Sequence, residues 1–269
     1  IGSIFVKNDN SLKLEKALIL LGSGSNGKSV LFEVLIALLG SQNISNYSLS
    51  SLTDNAGYSR AQIQKYLLNY SSEISRDIKL AQLKQISSGE PIEARNPYGQ
   101  PFMIKNYAKL AFNTNTLPTD VESTKAFYRR FLIIPFDVTI SEKNQDKGLH
   151  SKIIASELPG VFNWVLLGLN RLLAQKGYTN CDIIDETLKK YENESDTIKL
   201  FLIERNYIKS TVNYYKIVDL YKEYRAFCQE DGYYPSNKQV FIKSLKSTKI
   251  IIEKKNIGNV AFLQINNNN

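Results

Sequence analysis

The amino-acid sequence predicts an α/β fold, in which a core with a central parallel sheet is followed by a helical segment and a smaller module of a different type. Two observations lead to this prediction. Early in the 269-residue chain, short apolar runs typical of buried strands alternate with segments of helical period. After residue 195, three helical segments precede two β-type runs. We expect the core at 1–145, the helical segment at 146–194, the module at 195–265 and a disordered tail at 266–269.

The first predicted strand, Ala17 to Leu21, runs into a glycine-rich loop and then a helix over 28–39. The loop, G-S-G-S-N-G-K-S, fits the pattern G-x-x-x-x-G-K-[ST] of a phosphate-binding loop. Glycines allow successive backbone N–H groups and the helix N-terminus to face an anion, while Lys28 reaches the phosphates and the Ser29 hydroxyl binds Mg²⁺. An ordinary Gly/Ser turn is the alternative. We predict ATP and Mg²⁺ as cofactors, bound by Gly22, Ser23, Gly24, Ser25, Asn26, Gly27, Lys28, Ser29 and Val30.

Polar residues follow two later apolar runs, 66–70 and 109–113. In open α/β sheets, ligands bind beyond the carboxyl ends of the strands. Glu73, just past the first run, is placed to polarise an attacking water close to Mg²⁺, and Asn115, just past the second, to hold that water or contact a γ-phosphate. A surface glutamate at a helix start and a turn-forming asparagine are the structural alternatives.

A β-hairpin is predicted near 91–105, because two β-type runs flank the turn-forming sequence N-P-Y-G-Q at 96–100. Arginine and tyrosine at its tip can contact a phosphate and stack on a base. An ordinary hairpin with solvated charges is the alternative. Together with lysines on the hairpin and on the basic helix before it, the predicted DNA-binding residues are Arg95, Tyr98, Lys105 and Lys84.

Two adjacent arginines, Arg129 and Arg130, precede an apolar run at 131–136. Both cannot be buried without partners. At least one should therefore meet a carboxylate, a phosphate or a neighbouring subunit.

The C-terminal pattern of three helices, 197–205, 214–229 and 238–247, and a hairpin predicts a winged-helix arrangement, with Ser236 as the N-cap of the third helix. Its last helix and hairpin are rich in lysine, which is consistent with DNA backbone contact, although winged helices also bind proteins. The lysines concerned are Lys243, Lys246, Lys249, Lys254 and Lys255.

Composition narrows the function classes. The net charge of +8 is compatible with a nucleic-acid partner, or with lysines spread over solvated faces. Cys181, Cys228 and His150 lack metal-type spacing, which argues against zinc and against Ser/His or Cys/His catalysis. No apolar run approaches the roughly 18 to 20 residues of a membrane span, so we expect a cytoplasmic protein without a membrane partner. The chain starts at Ile1, and we expect it to be part of a longer polypeptide.

Taken in order, these segments resemble the superfamily 3 (AAA+-type) helicase domain of phage and plasmid primase-helicases, related to the poxvirus primase-helicase family. The resemblance spans roughly 1–176 and departs from the usual pattern at Ser72 and Glu90, where relatives often have aspartate. The segments that carry it are G-S-G-S-N-G-K-S (22–29), S-S-E (71–73), L-K-Q-I-S-S-G-E-P-I-E-A-R (83–95), K-L-A-F-N-T-N-T-L-P (109–118), F-Y-R-R-F-L-I-I-P-F (127–136) and E-L-P-G-V-F-N-W-V-L-L-G-L (157–169).

The resemblance implies an AAA+/RecA-like P-loop NTPase core with assigned residue roles. Glu73 would be the Walker B acid and general base and would share Mg²⁺ with Ser29, and Asn115 would be sensor 1. Arg130 would be the arginine finger that reaches the neighbouring subunit's γ-phosphate, with Arg129 in support. The hairpin would line a central channel and move single-stranded DNA.

The implied function is that of an ATP-dependent DNA helicase that acts in the replication of a phage or other mobile element. It would act on single-stranded or forked DNA as a homo-oligomeric ring, expected to be a hexamer, with ATP hydrolysed between subunits. An upstream primase or polymerase part would belong to the same polypeptide. The alternative is an ATP-controlled, DNA-binding replication initiator or loader that does not unwind processively.

Overall fold

The computed structural model describes residues 1–6, 12–72, 74, 78–118 and 125–266, with only the backbone of Lys125. The chain divides into two compact units, Ile1–Lys190 and Tyr191–Asn269. The helical segment that follows the sheet belongs for most of its length to the first unit.

The first unit is organised around a five-stranded parallel sheet, as the sequence predicts. The strands of this unit are β1 (Ala17–Leu21), β2 (Ile44–Ser45), β3 (Leu68–Ser71), β4 (Ile92–Arg95), β5 (Pro101–Ile104), β6 (Lys109–Thr114) and β7 (Phe131–Pro135). The sheet order is β2-β3-β6-β1-β7, and β4 and β5 form a separate antiparallel hairpin. Because the five strands are parallel, their carboxyl ends lie at one edge, with β1 between β6 and β7.

Eight helices accompany these strands in the described part of the chain. One core cluster joins α1 to the sheet, where the Phe32 ring stacks on Tyr70 of β3 at 3.8 Å. Short 3-10 turns lie at Gly2–Phe5, Ser41–Asn43 and Glu142–Asn144. The helices are α1 (Lys28–Leu39), α2 (Leu49–Thr53), α3 (Tyr58–Ile63), α4 (Leu80–Ser88), α5 (Lys125–Tyr128), α6 (Leu149–Ser156), α7 (Leu158–Gln175) and α8 (Asp182–Glu194).

The second unit packs three helices against short antiparallel strands. Its elements are α9 (Thr197–Glu204), β8 (Tyr207–Lys209), β9 (Tyr215–Lys216), α10 (Ile217–Glu230), α11 (Lys238–Ser247), β10 (Ile252–Lys255), β11 (Gly258–Ala261) and β12 (Leu263–Ile265). One sheet has the order β10-β11-β9 and another pairs β12 with β8. The core is aromatic, with Phe201 surrounded by Tyr224, Phe227 and Phe241.

Two local predictions for this unit were wrong. The second helix begins at Ile217 and not at 214, because Tyr215 and Lys216 pair with β11 as a strand. The N-cap of α11 is Asn237, whose side chain accepts the N–H groups of Gln239 and Val240. The N–H of Ser236 donates instead to the hydroxyl of Tyr224 at 3.0 Å, a contact that only the tertiary fold creates.

Within the described ranges, no single helix has both the length and the apolar composition to cross a membrane. One pair of segments, Glu142–Ser156 and Leu158–Gln175, has the required length and apolar composition only when the two are taken together, and the pair is bent by 79°.

Candidate phosphate-binding site

The loop between β1 and α1 adopts a backbone that its glycines make possible. Gly24 and Gly27 have φ of +114° and +86°, a region that residues with a Cβ rarely occupy. Gly22 is required for space, since a Cβ there would lie 2.3 Å from Asn26 Nδ2 and 2.5 Å from the Phe136 carbonyl oxygen. Gly27 is the N-cap of α1, so the loop leads directly into the helix N-terminus.

The loop is held between the carboxyl ends of the two strands that flank β1. The N–H of Gly22 donates to Thr114 O of β6 at 3.1 Å. On the other side, Asn26 Nδ2 donates to Phe136 O at 2.9 Å, just after β7, and Ile140 N–H donates to Ser25 O at 2.8 Å. These bonds fix the loop before any ligand binds.

Lys28 lies under this loop as a buried cation, with only 4% of its surface exposed. Its Nζ donates to Gly22 O at 2.7 Å and to Asn26 Oδ1 at 2.8 Å. Burial lowers the pKa of the Lys28 ammonium. Both acceptors are neutral, and no carboxylate of the described residues forms an ion pair with Nζ.

Backbone donors converge on the same place. Leu31 N–H donates to the carbonyl oxygen of the N-cap, Gly27, at 3.2 Å, so the preceding N–H groups of Lys28, Ser29 and Val30 have no acceptor within the helix. Such free donors, next to an ammonium group and a helix N-terminus, suit a phosphate. The exposed Ser29 hydroxyl suits one coordination position of Mg²⁺.

The described residues contain no cluster of three or more His, Cys, Asp or Glu side chains that would hold a metal. Glu73, the predicted acid, lies outside the described residues. Among the described residues of the loop, the Ser29 hydroxyl is a group that could hold Mg²⁺ bound mainly through phosphate oxygens and water.

Asn115 lies at the same edge of the sheet as the loop. It follows β6, whose last residue, Thr114, is level with Leu21 of β1. The Thr114 hydroxyl donates to Thr116 O at 2.6 Å and accepts the Thr116 N–H at 3.3 Å, which closes a tight turn and leaves Asn115 exposed. Two residues before Asn115, on β6, Asn113 faces the buried Tyr70 phenol, and burial raises the pKa of Tyr70 to about 12.

The two adjacent arginines have opposite environments. Arg129 is exposed, whereas Arg130 is 6% exposed. Arg130 Nη1 lies 2.8 Å from Glu15 Oε2 and donates to Ser88 Oγ at 2.6 Å. The expectation that at least one arginine has a partner is met inside the same chain.

The β4-β5 hairpin presents Tyr98 at its tip, fully exposed and with φ of +61°. Arg95 is also exposed, and its Nε donates to Gly99 O at 2.8 Å, which braces the turn. Lys105 follows β5 and is exposed, while Lys84 lies half-buried on α4. The hairpin therefore carries three of the four predicted DNA-binding residues.

Two buried residues that sequence reasoning missed fix the hairpin at its base. Tyr107 donates to the carbonyl oxygens of Gln85 and Glu90, at 3.2 and 2.9 Å, and burial raises its pKa. Arg60 Nε donates to Glu93 O at 2.8 Å, and the 4% exposed Arg60 also pairs with Asp54 at 3.6 Å. Neither lies in a recognisable motif, because the hydrogen bonds that hold the hairpin are accepted by main-chain oxygens.

Comparison with known proteins gives the fold and not the activity. Residues 20–130 match the model of a family of unknown function, DUF5906. No curated protein matches the chain. Of the solved structures, an apo structure of the NrS-1 C-terminal region has a TM-score of 0.53 and 14% identity, covering 98% of this chain and 70% of that one. An A-form apo structure of the same region has a TM-score of 0.48 and 16% identity, with coverage of 98% and 69%.

Proposed function

We propose that this chain is the motor domain of an ATP-dependent DNA helicase of the superfamily 3 type, acting in the replication of a phage or other mobile element. The observation that carries the proposal is the loop around Lys28, where a buried ammonium group with neutral acceptors and the N-terminus of α1 converge. The ordered resemblance of the segments over 1–176 and the fold similarity to the NrS-1 C-terminal region support it.

The position of the loop in the sheet also supports nucleotide binding. From β1, the chain crosses to the far edge strand β2, whereas β6 and β7 lie on the two sides of β1. The strand order therefore changes direction at β1. Open α/β sheets bind ligands in the crevice at such a switch point, beyond the carboxyl ends of the strands.

In this proposal Lys28 and the N–H groups at the start of α1 bind the phosphates, and Asn115 orients the attacking water. Glu73 accepts a proton from that water as general base. Mg²⁺ would be held by Ser29 and Glu73 and would neutralise phosphate charge. A guanidinium of the Arg129–Arg130 pair would act on the γ-phosphate bound to a neighbouring subunit, which requires a homo-oligomeric ring, expected to be a hexamer.

The hairpin is the proposed contact with single-stranded DNA. The exposed Tyr98 ring would stack on a base, and Arg95, Lys105 and Lys84 would contact phosphates. The second unit is proposed to be a winged-helix-like module, because α9, α10 and α11 precede the β10-β11 hairpin and β9 completes the sheet. Exposed lysines on α11, such as Lys243 and Lys246, would contact the DNA backbone.

ATP hydrolysis and strand displacement on a forked DNA test the proposal. We expect hydrolysis that single-stranded DNA stimulates, and unwinding that requires ATP. Lys28→Ala should abolish both, whereas Lys13→Ala, which removes an exposed lysine near β1, should change neither. Stimulated hydrolysis without unwinding, also in the longer parent polypeptide, would support the initiator or loader instead. Absence of nucleotide binding in the wild-type chain would refute both.

A further inference from the structure

Arg130 lies where three distant segments of the first unit meet. Its main-chain oxygen accepts the N–H of Ala17 at 2.7 Å, and Ala17 is the first residue of β1. Its side chain reaches Glu15 Oε2 at 2.8 Å, two residues before β1, and Ser88 Oγ at 2.6 Å, on the last residue of α4. One residue thus contacts both the strand that enters the phosphate-binding loop and the helix that precedes the hairpin.

The α4 end of this junction is tied firmly to the hairpin. Ser88 lies four residues before Ile92, the first residue of β4. The carbonyl oxygens of Gln85 and Glu90, on either side of Ser88 in the chain, both accept the Tyr107 hydroxyl, and Tyr107 comes shortly after β5. A displacement of Ser88 is therefore passed to both strands of the hairpin.

The charge on Arg130 is balanced within its own chain. Glu15 provides a carboxylate for a guanidinium that is almost fully buried. Arg129, one residue earlier, is exposed. An arginine that acts on a neighbouring subunit has to extend from the surface, which Arg129 does and Arg130 does not.

The hydrogen bonding of Arg130 is incomplete. Its Nε is buried and has no acceptor among the described residues, while Nη1 makes both side-chain contacts. Arg130 therefore has unused bonding capacity in this arrangement. A second arrangement of its guanidinium is less costly for that reason, and a residue that relays a structural change needs two arrangements.

We propose that Arg130 is an internal positioning residue that couples the phosphate-binding strand β1 to the hairpin through Ser88, and that Arg129 is the arginine facing the neighbouring subunit. This inference rests on the proposed function, since it assigns the coupling between nucleotide and DNA. It departs from the assignment of Arg130 as the arginine finger that the family resemblance implies.

Ser88 gives the sharpest test, because Arg130→Ala risks destabilising the fold. Ser88→Ala removes the hydroxyl that Arg130 contacts but keeps the Arg130–Glu15 pair. We expect basal ATP hydrolysis to stay within about twofold of the wild type, while its stimulation by single-stranded DNA falls by roughly threefold to tenfold. Ser88→Thr, which keeps the hydroxyl, should restore the stimulation.

Ser87→Ala is the matched control. Ser87 is the preceding residue of α4, and its hydroxyl donates to Leu83 O at 2.6 Å. An equal loss of stimulation in Ser87→Ala, or unchanged stimulation in Ser88→Ala, would overturn the coupling role of Arg130. Wild-type chain that does not hydrolyse ATP would refute the proposed function itself. Wild-type chain with DNA-stimulated hydrolysis that Ser88→Ala leaves intact would refute only this inference.

Discussion

The candidate phosphate-binding loop and the Arg130 junction each bury a cation, but the groups that surround the cation differ. Lys28 and Arg130 are 4% and 6% exposed. Lys28 Nζ is held by a main-chain oxygen and an amide oxygen, both neutral, whereas Arg130 pairs with the Glu15 carboxylate. A buried charge is costly unless it is paired. Among the described residues the loop thus leaves a positive charge for a ligand to neutralise, and the junction neutralises its own.

This difference separates a binding site from a structural link. The contacts that Lys28 makes with the described residues can be exchanged for phosphate oxygens, because both acceptors are neutral. Moving Arg130 toward a ligand would break its ion pair with Glu15 and its hydrogen bond to Ser88. Burial alone would class the two residues together, and the charge of the acceptors distinguishes them.

The largest expected effect separates the two adjacent arginines. Arg129→Ala should lower the rate of ATP hydrolysis about a thousandfold, because it removes a guanidinium that stabilises transition-state charge across a subunit interface. Mixing Arg129→Ala with Lys28→Ala should restore part of the activity through hybrid interfaces. Steady-state hydrolysis across mixing ratios measures this.

Arg130→Ala is the comparison variant in the same experiment. If Arg130 acts within its own chain, mixing it with Lys28→Ala should restore less activity than Arg129→Ala does. Recovery with Arg130→Ala and none with Arg129→Ala would reverse the assignment. Failure of every mixture to recover would contradict a shared site.

Replacement of each buried cation by methionine should change stability in different ways. Without nucleotide, Lys28→Met should leave the free energy of unfolding unchanged or raise it, since it removes a charge that no carboxylate of the described residues balances. Arg130→Met should lower it by about 1–3 kcal/mol, because the Glu15 carboxylate loses its ion pair and the Ser88 hydroxyl loses one of its two hydrogen bonds. Urea unfolding measures both, and a larger loss for Lys28→Met would remove the distinction drawn between the two residues.

A smaller effect is expected at the β4-β5 hairpin, which begins four residues after Ser88 of the Arg130 junction. Tyr98→Ala should weaken binding of single-stranded DNA by roughly fivefold to twentyfold, because one base loses its stacking partner. Tyr98→Phe keeps the ring and should bind normally, and Tyr234→Ala removes another exposed tyrosine as a control. Fluorescence anisotropy measures the affinities. Equal binding by Tyr98→Ala and wild type would leave the hairpin without a stacking role.

A third cation, Lys109, extends the comparison to the opposite edge of the sheet, where β6 begins. Burial lowers the pKa of Lys109 from 10.5 to about 8. Between these values the unfolded chain binds more protons at this site than the folded chain, so the site makes stability rise with pH. Relative to Lys109→Met, wild-type stability should rise by about 1–2 kcal/mol between roughly pH 7.5 and 9.5.

Urea unfolding of Lys109→Met and the wild type at matched pH values gives this difference. Stopping at about pH 9.5 avoids the range in which tyrosines of the unfolded chain ionise. A difference that does not change with pH would show that Lys109 keeps an ordinary pKa in the fold.

The sequence by itself determined the parallel α/β core and the position of the glycine-rich loop between β1 and α1. Both lie in contiguous segments: the loop and helix from Gly22 to Leu39 lie where the pattern predicts them, and four of the five strands of the parallel sheet match short apolar runs. The fifth, the two-residue β2, lies in a stretch rich in Ser and Asn that does not predict a strand. Glycine spacing, strand composition and helical period act over a few residues, so they can be recognised without knowledge of the fold.

Only the tertiary structure decided which arginine is buried and how the hairpin is anchored. The partners of Arg130 lie 115 and 42 positions away in the chain. Arg129 and Arg130 are adjacent and chemically identical, and no feature of the local sequence indicates which of the two is buried. Likewise, Tyr215 becomes a strand residue because β11 is there to pair with it. Asn237 and not Ser236 caps α11, and the N–H of Ser236 bonds to the distant Tyr224. Contacts with residues distant in the chain therefore decide between local structures that the local sequence does not distinguish.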